Sequence, residues 1–192
     1  MQILDTRQEM LKALPKGMVM AELGVFDGSF AKDILEICQP QKLYLIDLWA
    51  GTIMSGNQDG NNVVHRNGGE LFREVVKIAK DQYDKLNYSQ VEVFRAETEK
   101  IKHFDYNSID AVYIDADHSY SGCLKDLINS FNTVKNGGYI MGHDYETNFS
   151  KTQTDWKFGV KQAVDEFCKE YNQEISAKAM DGQVSYLIKV KK

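Results

Sequence analysis

Short apolar runs alternate with helix-patterned segments along this chain, and that alternation narrows its fold more than any other feature. "MVMAELGV" (18–25), "KLYLIDLW" (42–49), "QVEVFRA" (90–96), "IDAVYIDA" (109–116) and "GYIMGH" (138–143) read as strands. "SFAKDILEIC" (29–38), "ELFREVVKIAKDQYDKL" (70–86), "SGCLKDLINSFNTVK" (121–135) and "FGVKQAVDEFCKEY" (158–171) carry apolar residues at helical spacing. Continuous apolar runs mark parallel strands covered on both faces. Near the end, "EISAKAM" and "QVSYLIKV" are joined by "DGQ", and the Asp-Gly pair marks a hairpin.

The expected fold is α/β: a Rossmann-like, doubly wound, mostly parallel seven-stranded sheet with helices on both faces and a C-terminal antiparallel hairpin. An N-terminal helix is expected within residues 1–16, stopped by Pro15 and Gly17. Residues 50–69, "AGTIMSGNQDGNNVVHRNGG", read as a polar, glycine-rich loop, and a loop of that length suits a lid or substrate loop. "TNFSKTQTDW" (147–156) is a second polar stretch, with Tyr145 and Trp156 as candidate walls of a substrate pocket.

At 192 residues, one domain spanning 1–192 is expected. The net charge, 23 − 28 = −5, disfavours a partner gripped through phosphates, so no nucleic acid is expected. There is no apolar run long enough for a membrane span and no signal-peptide pattern, so a cytoplasmic protein is expected. Cys38, Cys123 and Cys168 are far apart and odd in number, which suits reduced, buried thiols. A homodimer is the expected assembly if the chain oligomerises.

In a doubly wound sheet ligands bind beyond the carboxyl ends of the strands. The first such end, "AELGVFDGSF", holds Gly24 and Gly28 in a G-x-x-x-G spacing. A dinucleotide turn would be G-x-G-x-x-G, and Phe26 stands where its middle glycine should be. A ligand-free βα turn would show the same two glycines. Asp47 ends the second strand 19 residues after Gly28, where an acid would hold a ribose diol. Together they point to a nucleoside with a ribose. Asp115, Asp117 and His118 end the fourth strand, and His143 and Asp144 the fifth. Asp115 and Asp144 are 29 residues apart, enough for one helix and a return strand on the same sheet edge. Oxygen ligands with an imidazole suit Mg²⁺, Mn²⁺ or a similar divalent ion. An acidic crevice without metal, or acids that cap helices, remain open readings.

"AELGVFDGSFAK", "YLIDLW", "IDAVYIDADHSYSGCLKDL" and "GGYIMGHDY", in this order, resemble the class I S-adenosylmethionine-dependent methyltransferases. Within these the chain is similar to the small-molecule O-methyltransferases of the macrocin O-methyltransferase type and, more distantly, to catechol O-methyltransferase. The resemblance implies S-adenosyl-L-methionine as cofactor and a small-molecule hydroxyl as acceptor. It implies that Glu22, Gly24 and Gly28 shape the pocket for the methionine part and Asp47 holds the ribose hydroxyls. Leu48 or Trp49 would lie beside the adenine, with Ala96 and Glu97 at its edge. Asp115, beside the cofactor, would bind a divalent metal together with His143 and Asp144. His143 departs from the carboxylate usual there and favours a softer ion. His118 or Asp117 would be the catalytic base, an imidazole with its ordinary pKa of about 6.5 suiting that task near neutral pH. On these roles Asp47→Ala should weaken cofactor binding and leave the fold intact. A nicotinamide-dependent oxidoreductase and a non-catalytic nucleoside-binding protein are the alternatives.

Overall fold

The computed structural model describes residues 1–50, 52–56, 63–86, 90–146 and 158–192. The first half of the chain forms β1 (Gln2–Leu4), α1 (Arg7–Lys12), β2 (Val19–Leu23), α2 (Ser29–Asp33), β3 (Lys42–Asp47), β4 (Thr52–Gly56), β5 (Val63–Asn67) and α3 (Gly68–Leu86). The second half forms β6 (Gln90–Arg95), β7 (Ile109–Ile114), α4 (Tyr120–Thr133), β8 (Val134–Glu146), α5 (Val160–Glu170), β9 (Ile175–Asp181) and β10 (Gln183–Lys189).

Eight strands make the main sheet, in the order β1-β9-β10-β8-β7-β2-β3-β6. The pairs from β6 through β3, β2 and β7 to β8 are all parallel. β10 runs antiparallel to both β8 and β9, as the Asp-Gly hairpin requires. From β2 the chain winds outward through β3 to β6, then returns to β7 on the other side. The switch point therefore lies between β2 and β7, and their carboxyl ends open a crevice there.

Each face of the sheet carries its own apolar layer. Met10, Leu11, Phe30, Ala31, Leu71 and Val75 bring α1, α2 and α3 onto one face. Leu127, Ala163, Val164 and Phe167 bring α4 and α5 onto the other. The buried residues of α5, Val160, Ala163, Val164 and Phe167, fall at i, i+3, i+4 and i+7. Full burial of a Val or Phe contributes roughly 1.5–3 kcal/mol, against about 0.2–0.5 for an exposed i,i+4 pair, so the apolar stripe seats this helix. Cys38 and Cys123 are buried and Cys168 is half-buried; all three are free thiols. Burial pushes the Cys38 and Cys123 thiols up to about 12. Among the described residues no helix is long and apolar enough to cross a membrane.

Three features differ from the sequence expectation. The eighth strand is β1, three residues that pair with β9 in parallel and precede a helix of only Arg7–Lys12. Such a short edge strand has no period to read. Within the expected loop 50–69, β4 and β5 pair antiparallel from Thr52↔Asn67 to Gly56↔Val63. Its glycines and asparagines hid that ribbon. The helix expected over 29–38 is α-helical to Asp33, then widens to a π-helical turn over Ile34–Cys38, ended by Gln39 at φ +46°. The polar stretch 147–156, with Trp156, lies outside the described residues, as do the middle of the 50–69 segment and the His65 side chain.

Candidate active site

The crevice begins with the turn between β2 and α2. Gly24 has φ +83°, and a Cβ there would overlap the carbonyl oxygen of Asp115. Only glycine lets β2 and β7 end this close together. Gly28 has φ +76°, and a Cβ on it would lie 3.2 Å from Val75 Cγ2 and 3.3 Å from Ile78 Cδ1. It serves the packing of α2 on α3 and does not line the cleft.

Asp47 holds this turn in place. Its Oδ2 accepts from the backbone N–H of Val25 (2.9 Å) and Phe26 (3.0 Å), and its Oδ1 from that of Trp49 (2.8 Å). The Trp49 indole N–H donates to the Phe26 carbonyl at 2.8 Å, and Trp49 is 0% exposed. Trp49 is therefore a buried strut rather than an adenine neighbour. Leu48, 45% exposed, faces the cleft instead. Ala96 extends the sheet, its N–H donating to the Asp47 carbonyl at 2.9 Å, while Glu97 and Thr98 reach the cleft.

The cleft encloses about 720 Å³. Glu22, Asp27, Asp47, Glu97, Asp115 and Asp117 line it. Among the described lining residues Arg7 is the one permanent cation. Glu22 is 2% exposed, and its Oε2 has no hydrogen-bond partner among the described residues. Burial first, then the charges of Asp115 and Asp47, hold its carboxyl well above the usual range.

Beside Glu22, the ends of β7 and β8 bring two acids and two histidines together. His118 Nε2 lies 2.8 Å from Asp144 Oδ2 and 3.3 Å from Asp115 Oδ1. His143 Nδ1 lies 3.4 Å from Asp144 Oδ2 and 3.7 Å from Asp115 Oδ2. Asp144 itself sits at φ +56°. Burial alone would lower the His118 pKa, but its hydrogen bonds to Asp115 and Asp144 and their charges outweigh that and push it up to about 10. Burial opposes ionisation of Asp144, yet bonds to His118 and His143 hold it below the usual carboxylate range. In the free protein His118 is thus an imidazolium at pH 7, not the near-neutral base expected from its ordinary pKa. One ligand atom each from Asp115, His118 and Asp144 lie within 4.8 Å of one another. His118 thus joins the two acids as a candidate ligand, and His143 stands beside them.

Asp117 is tied into the start of α4. Its Oδ1 accepts from Ser119 N–H at 2.9 Å, and its other oxygen rests against Gly122, where a Cβ would overlap it. Ser119 is the N-cap, accepting from Gly122 N–H at 3.1 Å. Tyr145, expected at a pocket wall, is buried beneath α5, its hydroxyl donating to Asp165 Oδ1 at 2.6 Å.

Two contributors carried no signal in the sequence. Arg7 reaches the cleft from α1, and Thr98 donates through Oγ1 to Asp126 Oδ1 at 2.6 Å. Burial pushes the Asp126 carboxyl up to about 6 against that hydrogen bond. An acid inside a helix with a cap-sized partner elsewhere reads as a surface residue until the fold is known.

Comparison with known proteins supplies the context. The family described as "Methyltransferase domain" matches residues 21–145, from the Glu22 turn through the His143–Asp144 end of β8. No curated protein matches the chain in sequence. A structure described as an rRNA methylase from Streptococcus thermophilus is 10% identical with a TM-score of 0.60, covering 97% of this chain and 95% of that one. Fibrillarin from Aeropyrum pernix with natively bound S-adenosyl-L-methionine is 15% identical with a TM-score of 0.63, covering 95% and 73%. A Streptococcus mutans structure in complex with SAH is 12% identical with a TM-score of 0.59, covering 95% and 94%. At these identities the likeness is one of fold.

Proposed function

The chain belongs to the methyltransferase-domain family, and we propose that it moves the methyl group of S-adenosyl-L-methionine to a hydroxyl oxygen of a small-molecule acceptor. The observation that carries this reading is the acidity of the switch-point cleft: six carboxyl groups line it against Arg7 and His118. That lining suits a ligand bearing a sulfonium, an ammonium and a ribose diol. Glu22 supports the same fit, because its unpartnered oxygen wants a hydrogen-bond donor or a cation. Asp47 Oδ1 accepts one backbone N–H and keeps a lone pair for a ribose hydroxyl. Leu48 offers an apolar surface to a base, with Glu97 and Thr98 at its edge.

When bound, the cofactor supplies an already activated methyl group. The chain's task is to align an acceptor oxygen with it and to take away a proton. Asp115, which lines the cleft beside Asp144, is the group placed for that proton. His118 bridges them and neutralises part of their charge. Asp115, His118 and Asp144, with His143 beside them, would also hold a divalent ion. Their mixed oxygen and nitrogen donors fit one, and it would lower the pKa of an acceptor hydroxyl. Asp117 is a weaker candidate base, since one of its oxygens is engaged at the start of α4.

An RNA acceptor is the second reading, since a structure described as an rRNA methylase is among the similar ones. The net charge of −5 and the acid-lined cleft favour a small molecule over a polyphosphate. Family membership favours methyl transfer over nicotinamide oxidation. The test is a calorimetric titration with S-adenosylhomocysteine, with NAD as control, followed by a methyl-release assay over a panel of sugar and phenol acceptors. Binding of the first ligand alone, with turnover on one acceptor class, is expected. Tight binding without turnover would point to a nucleoside-binding protein. No binding would remove the cofactor reading.

A further inference from the structure

We infer that Arg7 is the receptor for the carboxylate of the cofactor's amino-acid tail. This rests on the S-adenosylmethionine reading above and adds a residue to it that lies outside the matched span 21–145.

The cleft poses a problem that Arg7 solves. Its acids attract a sulfonium and an ammonium, but they repel the carboxylate carried on the same ligand. Among the described lining residues Arg7 alone carries a permanent positive charge. The other cation of the lining, His118, is already engaged by Asp115 and Asp144, at 3.3 and 2.8 Å, which leaves Arg7 as the place for a carboxylate.

Arg7 is also built to receive rather than already spent. Its backbone N–H donates to Asp181 Oδ2 at 3.1 Å, which fixes the residue at the start of α1. The guanidinium lies 4.8 Å over the Phe30 ring, which sets its plane. Phe30 in turn packs on Tyr113, with ring centroids 4.1 Å apart. The polar contacts of the guanidinium are long: Nη1 to Tyr113 Oη at 3.4 Å, Nε to Asp181 Oδ2 at 3.7 Å, and Nη1 to Asp115 Oδ2 at 4.0 Å. Among the described residues Nη2 makes no hydrogen bond. A guanidinium presents five N–H donors in a fixed fork matched to a carboxylate. Here that fork is oriented, partly desolvated and open on one edge.

The competing account makes Arg7 a counter-charge for Asp115 and Asp181 with no ligand role. The two accounts separate in a cycle that changes protein and ligand together. Affinities for S-adenosylmethionine and for its decarboxylated analogue are measured calorimetrically on the wild type, Arg7→Met and Arg7→Lys. The wild type is expected to prefer the carboxylate-bearing ligand by roughly 10- to 100-fold, the weight of a charge-assisted hydrogen-bonded pair. Arg7→Met is expected to lose that preference while keeping or gaining affinity for the decarboxylated analogue, which also shows that its cleft is intact. Arg7→Lys, which keeps the charge and loses the fork, is expected to fall between. The proposal is overturned if the wild type binds both ligands equally, or if Arg7→Met and Arg7→Lys keep the wild-type preference. Should Arg7→Met not fold, the wild-type ratio and Arg7→Lys still decide. A wild type that binds neither ligand overturns the cofactor reading itself, and Arg7's role with it.

Discussion

Phe26, Trp49 and Asp144 adopt φ of +53°, +41° and +56°, a region that L residues occupy at a cost of order 1–3 kcal/mol each. Phe26 lines the cleft, and two of the three, Phe26 and Trp49, are held by Asp47. One carboxylate thus satisfies three backbone donors and fixes the shape of the glycine turn. Asp47→Ala should lower stability by about 2 kcal/mol or more, since buried donors lose their acceptor. For a chain of this size that is roughly 4–8 °C in Tm by calorimetry. The sequence suggested a ligand residue whose removal would spare the fold; the geometry makes it a structural latch as well. His118 carries a second prediction. Its folded pKa is raised from an unfolded value near 6.5 to about 10. The folded state therefore binds the extra proton more tightly. The stability this adds is fully present below about pH 6.5 and is lost as pH rises through about 10. Denaturant unfolding across that range in metal-free buffer should show the decline, and His118→Asn should flatten it.

Among the elements, α2 and α3 meet at Gly28 with no room to spare. Gly28→Ala combines a left-handed backbone with a Cβ 3.2 Å from Val75 Cγ2. It should cost about 1–2 kcal/mol, read as a lower denaturant midpoint with unchanged slope. Element type was legible wherever a period ran long enough: α3, α4, α5 and the five parallel strands all stand close to where their patterns put them. The π turn at Ile34–Cys38 was not, because its apolar spacing is also that of an α-helix. The β4–β5 ribbon was not, because glycine and asparagine dilute the alternation of a hairpin. Among site residues, the acids and histidines at strand ends followed from topology alone. The true partners of Asp47, the burial of Trp49 and the arrival of Arg7 did not, since each depends on a contact between distant segments.

At the scale of the whole molecule, α1 is clasped to the end of β9. Asp181 holds both the Arg7 backbone and, at 3.7 Å, its Nε, across 174 residues of sequence. Asp181 does not line the cleft. Asp181→Ala should nonetheless weaken S-adenosylmethionine binding several-fold while sparing the decarboxylated analogue, because it releases the guanidinium that it orients. Equal effects on both ligands in calorimetry would mean that Asp181 acts on the sheet and not through Arg7.

That separation also sets a clock. At a synthesis rate of roughly 5–20 residues per second, the ribosome needs about 9–35 s to travel from Arg7 to Asp181. In that interval β2, β3, β6, β7 and β8 are made and can pair, so the acid-lined crevice can form on a nascent chain that still lacks its anchored cation. The pocket's preference for a zwitterion then becomes a late acquisition in the life of each molecule, complete only once β9 has joined the sheet.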